Sequence, residues 1–307
     1  MDKIRIKSPA TIANLSCGFD VLGLCLDKPY DEIEVTKNLS RNIILNIEDS
    51  QFSNIPSNPK QNTGGVPAEL ILNDLNLDYG FTISIKKGIP LCGGLGSSAA
   101  TASGVVFAIN KLLDIPLSME QMLSYALEGE KVSVSNPHAD NIAPCLKGGL
   151  CLIRDTRTLD IIDVPISEYT IALIHPDIKI NTEDARNILP KDISLALAIT
   201  QWGNLGGLIM GFIKNDNAII KRSMEDKIIE PVRSSLIKGF VDIKNNALKT
   251  GAIGFGISGS GPTMFALCES ASIAENICSF SNKFYSSLNI KCDTYISKVN
   301  KNGPTII

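Results

Sequence analysis

The chain has 307 residues, 44% of them hydrophobic, and its 29 basic and 32 acidic residues leave a net charge of −3. This length and apolar content predict two modest domains with a sizeable core. Because the charges are mixed and nearly balanced, we expect neither a nucleic-acid partner nor a membrane surface, and small-molecule chemistry fits better.

The first residues, Met1 to Lys7, alternate apolar and polar side chains, which predicts a first strand and not a signal peptide. We find no apolar run long enough to span a bilayer and therefore expect a cytoplasmic protein. The eight cysteines form no C-x-x-C pair, and several, such as Cys151, lie inside apolar runs. They are interpreted as reduced core residues.

A second predicted strand leads into a glycine-rich turn and then a helix. Phe81 to Ile85 alternates as a half-buried strand does, and Lys86 to Gly88 end that pattern. After the turn at 90–100, apolar residues recur every three or four positions until Asp114-Ile115-Pro116 stops the helix.

This turn is typical of phosphate binding, because glycines allow close backbone approach and a helix start supplies unpaired N–H groups and the positive end of its dipole. An ordinary glycine-rich turn is the alternative. The predicted nucleotide-binding residues are Pro90, Leu91, Cys92, Gly93, Gly94, Leu95, Gly96, Ser97, Ser98, Ala99 and Ala100.

Two other glycine motifs are disfavoured. A P-loop requires a lysine that has no counterpart here. Gly94-x-Gly96-x-x-Ala99 formally matches the dinucleotide fingerprint, but its candidate acid, Asp114, follows the helix directly, with no room for the second strand. Gly254-x-Gly256-x-x-Gly259 also matches, yet it runs into Gly261-Pro262 where a helix should begin.

A third helix is predicted to carry a buried carboxylate. Ser118 to Gln121 resembles a capping box and opens an apolar stripe. At about 100° per residue, Glu130 falls within roughly 20° of Met119 on that stripe. Glu130 is therefore either a helix-end side chain that reaches solvent or an oxygen ligand for Mg²⁺, and Ser98 offers a second such oxygen.

The charged turn at 154–158 predicts a boundary between a domain of residues 1–157 and one of residues 158–307. The second half reads as an α+β unit close to a ferredoxin-like split β-α-β arrangement. Its predicted elements are a strand at 169–175, helices at 182–189, 192–214 and 231–250, a strand pair around Gly259, a further helix and a last strand at 291–298.

Several segments together resemble the GHMP superfamily of small-molecule kinases. Pro90 to Ala99 matches the superfamily's P-x-x-x-G-L-G-S-S-A motif, and Ser258 to Thr263 matches S-G-[SA]-G-P-T. Within it the chain resembles the homoserine kinase family through four further segments, at 7–20, 138–144, 182–186 and 230–233. The resemblance implies the two-domain α+β GHMP-kinase fold, with a ribosomal protein S5 domain 2-like N-terminal, ATP-binding domain and a ferredoxin-like C-terminal domain.

The resemblance also implies an activity, namely ATP-dependent phosphorylation of the hydroxyl of L-homoserine in threonine biosynthesis, with ATP and Mg²⁺ as cofactors, and a homodimer. ATP phosphates should lie on Gly93 to Ser98, with Ser98 and Glu130 holding Mg²⁺. The residues implied around homoserine are Asn14, Asp20, His138 and Asn141 at its amino and hydroxyl ends, and Arg186 and Arg233 at its carboxylate, which a planar guanidinium binds bidentately. Asn62 is a candidate for the adenine pocket.

The predicted catalytic residues are Asp20, Asn141 and Arg186. Related kinases use an aspartate where this chain has Asn141, whose amide cannot accept a proton. Asp140 lies about 100° away around a helix, so we expect catalysis by alignment and charge neutralisation, without a strong base. A kinase for another alcohol such as mevalonate and a non-catalytic ATP-binding sensor remain alternatives, although the arginines and His138 favour an amino acid.

Overall fold

A long strand pair forms the centre of the first sheet. The computed structural model describes residues 1–48, 55–132 and 139–307. The strands of this sheet are β1 (Lys3–Ala13), β2 (Leu22–Asn38), β3 (Ile43–Ile47), β4 (Gly80–Lys86), β5 (Leu150–Asp155), β6 (Asp160–Val164) and β11 (Thr305–Ile306). Their order is β11-β1-β2-β4-β3, with β5 paired to both β2 and β6; β3 and β4 are parallel and the other pairs antiparallel.

Helices pack against this sheet through one apolar cluster. They are α1 (Gly65–Asp74), α2 (Ser97–Leu112), α3 (Met119–Glu130) and α4 (Ala139–Lys147). Nearly every residue of α2 is buried, because small residues such as Ala102 and Gly104 allow it to lie close to the strands. The capping box predicted at the start of α3 is confirmed, with Ser118 and Gln121 each bonding the other's backbone N–H.

The second sheet has four antiparallel strands in the order β10-β7-β9-β8. These are β7 (Thr170–Pro176), β8 (Gly254–Ile257), β9 (Met264–Cys268) and β10 (Cys292–Lys298). The helices of this half are α5 (Thr182–Asn187), α6 (Leu195–Lys214), α7 (Asn217–Ser223), α8 (Glu230–Arg233), α9 (Phe240–Thr250) and α10 (Ala271–Ser287). This strand order, fourth-first-third-second, confirms the predicted ferredoxin-like arrangement.

Two elements of the second half differ from prediction. The helix expected over 231–250 is interrupted, because Ile237 is extended and Gly239 adopts a φ of 84° before α9 starts. The strand expected to be the last is followed by β11, which returns to the first sheet and pairs with β1.

The predicted boundary at 157/158 falls in the turn between β5 and β6, two adjacent strands of the first sheet. We propose that the first unit extends through Val164 and also includes the last strand, β11. The two sheets share an apolar cluster that includes Ile12 and Leu95 from the first half and Leu173 and Phe265 from the second. The halves are therefore packed together over a common core.

Helix α6 corrects the expectation about apolar runs. It has 20 residues, and an 18-residue stretch of it has a mean hydropathy of 1.3, so by length and composition it could cross a membrane; only 28% of that stretch is buried in the protein. Its buried residues, such as Leu208 and Phe212, face inward, while Leu195, Ile199 and Trp202 are exposed. Among the cysteines, six are buried as expected, but Cys92 is exposed and Cys292 is half-buried.

A buried ion pair connects β2, the end of β4 and the start of α2. Lys87, whose side chain is 2% exposed, pairs with Asp31 and also donates to the Ser97 carbonyl and the Thr101 hydroxyl at 2.8 Å each. The other oxygen of Asp31 accepts the backbone N–H groups of Gly88 and Ile89. All three ammonium N–H groups of Lys87 thus have partners, which fixes the geometry at both ends of the glycine-rich turn.

Replacing Lys87 by Met should lower the free energy of unfolding by about 3 kcal/mol or more, because it leaves the Asp31 carboxylate buried without its cation. Urea denaturation followed by circular dichroism measures this. The double variant Lys87→Met/Asp31→Leu should recover part of the loss. An unchanged midpoint for Lys87→Met would contradict the role given to this pair.

Candidate active site

The glycine-rich turn between β4 and α2 adopts the conformation of an anion cradle. Cys92, Gly94 and Gly96 have φ values of 51°, 79° and 65°. Gly96 is the N-cap of α2 and offers no side-chain cap, so the N–H groups of the first helical turn lack a partner within the helix. The backbone therefore presents donors, together with the helix dipole, at the point where the sequence predicts phosphate.

The carbonyl edge of this turn is held by donors from both halves of the protein. The carbonyl oxygens of Gly93 and Leu95 accept the N–H groups of Thr263 and Thr11 at 3.2 Å. The Gly94 carbonyl accepts the Ser258 hydroxyl at 2.6 Å. The late glycine motif, 258–263, thus braces the cradle and leaves the carbonyl edge turned away from an incoming anion.

Glycine is required at two of these positions. A Cβ on Gly94 would lie 2.2 Å from the Ser258 carbonyl oxygen, and one on Gly96 would lie 2.2 Å from the Thr11 hydroxyl. Both residues also have positive φ, which L side chains rarely adopt.

The two predicted metal ligands lie together. The Ser98 hydroxyl donates to a Glu130 carboxylate oxygen at 3.2 Å, across the start of α2 and the end of α3. Glu130 is 8% exposed, and burial raises its pKa to about 7 despite the opposing effects of Ser98 and Lys87. A hydroxyl beside a buried carboxylate is a ligand set that suits Mg²⁺, which takes few protein oxygens when phosphates complete its shell.

Asn141 is fixed in orientation at the start of α4. Its amide oxygen accepts the Thr11 hydroxyl at 2.7 Å, and its amide nitrogen lies 3.4 Å from the Asp140 carboxylate. The two side chains therefore contact each other at the first turn, although they leave the helix about 100° apart. Thr11 connects Asn141 to the cradle, since its backbone N–H binds the Leu95 carbonyl.

Asp140 lies between the two ends of the site. It is 4% exposed, and its pKa is raised to about 7, first by burial and then by the negative charges of Asp20 and Glu130. Arg186 acts in the opposite direction. The charge of Asp140 thus interacts both with Glu130, a predicted Mg²⁺ ligand, and with Asp20 and Arg186 of the predicted substrate site.

Four further predicted substrate residues, Asn14, Asp20, Arg186 and Arg233, form one cluster. Asp20 pairs with Arg186, and its backbone N–H donates to the Asn14 side chain at 3.0 Å. Asn14 and Arg233 both donate to the Gly259 carbonyl, at 3.0 and 2.8 Å. Arg233 is 4% exposed and also donates to the Ala185 carbonyl at 3.1 Å.

Two predicted site residues are not part of this picture. His138 lies outside the described residues. Asn62 is buried, and its amide is bonded within its own loop, to the Pro56 carbonyl at 2.7 Å and the Gly64 N–H at 2.9 Å. A contact of Asn62 with adenine stays a prediction.

Three residues that sequence reasoning did not select contribute to the site. Thr11 connects the cradle to Asn141, Lys87 anchors the start of α2, and the Phe19 ring lies near both arginines. Thr11 and Phe19 lie inside the segment 7–20, and Lys87 lies shortly before the motif that starts at Pro90, but no local pattern indicates their partners, which are distant in sequence.

Comparison with protein families matches both halves of the chain. The family model described as the GHMP kinases N terminal domain matches residues 66–149, and the one described as GHMP kinases C terminal matches residues 208–287. A homoserine kinase of Chloroherpeton thalassium is 37% identical over 321 residues, covering all of both chains. A homoserine kinase of Methanococcus maripaludis is 37% identical over 301 residues, covering 97% of each chain.

Solved structures show the same relationship. The crystal structure of homoserine kinase from Cytophaga hutchinsonii has a TM-score of 0.95 and 42% identity, covering 100% of this chain and 98% of that one. The L. major mevalonate kinase, solved with R-mevalonate, has a TM-score of 0.73 at 17% identity, covering 96% of each chain, and shares the fold.

Replacing Asp140 by Asn should stabilise the ligand-free protein at pH 8 and leave it unchanged near pH 4. With a pKa of about 7 in the folded protein against 3.8 unfolded, Asp140 binds its proton more tightly when folded, so stability falls as pH rises between those values. At about 1.4 kcal/mol per pKa unit, the gain should reach at most about 4 kcal/mol above pH 7.

Urea denaturation of both proteins from pH 4 to pH 8 measures this difference. Asp163→Asn, at an aspartate whose side chain is 70% exposed, is the control and should change little. An Asp140→Asn variant that is less stable than the parent at pH 8 would contradict the assignment.

Proposed function

The chain belongs to the homoserine kinases of the GHMP kinase family, and we propose that it transfers the terminal phosphoryl group of ATP to the hydroxyl of L-homoserine. The products are ADP and O-phospho-L-homoserine, an intermediate for threonine biosynthesis. Beyond the family relationship, the observation that carries this assignment is the juxtaposition of a phosphate cradle with the paired arginines Arg186 and Arg233. A phosphate site alone would fit many kinases, whereas the arginines select an acceptor that bears a carboxylate.

The two charged side chains proposed to bind the zwitterionic substrate pair with each other. Arg186 is paired with Asp20. A bound amino acid brings its own carboxylate to Arg186 and its ammonium group to Asp20, so each side chain exchanges one ionic partner for another. Because neither charge is left unpaired, the exchange avoids most of the desolvation cost of inserting an isolated ion.

At the phosphate end, the cradle from Gly93 to Ser98 binds the ATP phosphates through backbone N–H groups. Ser98 and Glu130 are the residues that would hold Mg²⁺, which when bound neutralises the charge of the phosphate oxygens. Glu130 would then face a cation within the apolar surroundings that raise its pKa, and its ionised form would be stabilised.

Asn141 and Asp20 orient the substrate hydroxyl toward the terminal phosphorus. Thr11 holds the Asn141 amide in one orientation and connects it to the cradle, so the acceptor and the phosphate donor share a support. Phosphoryl transfer through a loose transition state depends mainly on such alignment. Asp140→Asn should therefore keep most of its turnover; a loss above 100-fold in a folded variant would make Asp140 the base.

An acceptor screen tests the function. Purified protein with ATP should release ADP only when L-homoserine and Mg²⁺ are both present, and mevalonate, which lacks an ammonium group for Asp20, should not replace homoserine. Arg186→Gln should raise the KM for homoserine about 30- to 100-fold through the loss of a charge-assisted bond, with the KM for ATP within twofold.

Arg157→Gln is the matched control, because that side chain is 90% exposed in the turn between β5 and β6. Turnover of mevalonate would favour the alternative acceptor class. ATP binding without ADP release with any acceptor would indicate a sensor.

The exposed face of α6 supports a homodimer. Leu195, Ile199, Trp202, Met210 and Ile213 are exposed and follow one stripe about 80° wide along the helix. The helix sequence carries no charged residue before Lys214, so a symmetric second copy would meet no like-charge repulsion across this stripe. No atom of the described residues lies within 4 Å of a Cβ placed on Gly203 or Gly206, which leaves room for a second helix to approach closely. The occupant we propose is the same stripe of a second copy.

Ile199→Glu should convert the dimer to a monomer, because each interface would bury two carboxylates without partners. Sedimentation velocity at micromolar concentration measures the mass, and emission of Trp202, the chain's single tryptophan, should shift to longer wavelength. Leu39→Glu, at a residue that is 99% exposed in the turn between β2 and β3, is the control and should stay dimeric. A monomeric parent protein would contradict the proposal.

A further inference from the structure

The aromatic ring of Phe19 lies against both predicted carboxylate-binding arginines. The guanidinium carbon of Arg186 is 5.5 Å from the ring centroid, and that of Arg233 is 5.1 Å away. We propose that Phe19 is a positioning residue that holds Arg186 and Arg233 together as a single carboxylate-binding pair. This inference rests on the proposed homoserine kinase function and adds a determinant of substrate affinity to it.

The two arginines reach this point from different elements and repel each other. Arg186 lies on α5 and Arg233 on α8, so no shared helix fixes their spacing. Burial lowers the pKa of Arg233, and the positive charge of Arg186 acts in the same direction. Without an attractive contact that offsets this repulsion while no substrate is bound, the more exposed Arg186 would turn toward solvent.

Asp20 supplies part of that attraction through its ion pair with Arg186, but only until substrate binds. In the proposed complex its carboxylate turns to the substrate's ammonium group. The ring of Phe19 is different, because the negative face of its π system attracts guanidinium groups whether or not the site is filled. Phe19 can therefore hold both cations in place through the whole binding event.

The backbone around Phe19 is unusually constrained. Asn14, Leu15, Ser16 and Asp20 all have positive φ values, and the Asp20 N–H is bound by the Asn14 side chain. Because Asn14 also donates to the Gly259 carbonyl that Arg233 binds, the turn and Arg233 share one anchor. The backbone that carries the ring is thus held relative to Arg233 by hydrogen bonds.

Arg233 keeps donors for a ligand while it contacts the ring. Its described hydrogen bonds, to the Ala185 and Gly259 carbonyls, use two of its five N–H groups. The remaining edge of the guanidinium can bind a carboxylate in parallel with Arg186, provided that the two groups stay side by side.

Fluorinated phenylalanines at position 19 test this role with little change in shape. One, two and three ring fluorines progressively weaken the attraction of the ring for cations. The KM for homoserine should rise stepwise with fluorine number, kcat and the KM for ATP should stay within twofold, and Phe19→Leu should raise the KM for homoserine about 10-fold. Phe19→Tyr, which keeps the ring, should restore it to within threefold of the parent.

Phe107→Leu provides the control. The ammonium nitrogen of Lys111 lies 5.0 Å from the centroid of the Phe107 ring, and both residues are on α2, away from this cluster. This variant should leave the KM for homoserine unchanged. With 2-amino-1,4-butanediol, an acceptor that lacks the carboxylate, Phe19→Leu should behave like the parent protein.

Two results would overturn the inference. One is a KM for homoserine that does not change across the fluorine series; the other is a KM increase in Phe19→Leu that is equally large with the acceptor that lacks a carboxylate. Either would make Phe19 a packing residue. Failure of the function itself looks different, because the parent protein would then release no ADP with homoserine.

Discussion

The geometry of the active site depends on the buried ion pair between Lys87 and Asp31. Two charges removed from water are tolerated because Lys87 also binds a helix carbonyl and a hydroxyl, while Asp31 accepts two backbone N–H groups. Those partners lie on both sides of the glycine turn, at Gly88 and Ile89 before it and at Ser97, where α2 begins. The pair thereby fixes the span over which the glycine turn must bend, and the bend determines where α2 begins.

The cradle is also one of the places where hydrogen bonds join the halves of the molecule. Thr11 binds it from β1, and Ser258 and Thr263 bind it from the turn between β8 and β9. Gly259 in that second turn accepts bonds from Asn14 and Arg233. The same short turn therefore contacts the proposed nucleotide end of the site on one side and the proposed amino-acid end on the other, and so holds the two ends at a fixed separation.

Local patterns were enough to predict the parts of the site that are local. The strand, turn and helix around Gly94 follow from alternation, glycine content and helical spacing, and the burial of Glu130 follows from its phase on α3. The strand order of the second sheet also agreed with expectation. Contacts between distant segments carry no such signal: local patterns indicate only that Lys87 ends a strand, and they give Phe19 no partner. The break at Gly239 cannot be predicted from spacing because the apolar pattern continues across it.

The acidic residues of the site have a consequence for how ligands bind. Glu130 and Asp140 both have pKa values raised to about 7, so near neutral pH each carries a proton in a substantial fraction of empty molecules. In the proposed complex, a cation beside Glu130 would favour its ionised form and expel its proton, whereas the negative charge of bound phosphates would favour the protonated form. Ligand binding and proton exchange are then linked, and the heat of association would vary with the ionisation enthalpy of the buffer.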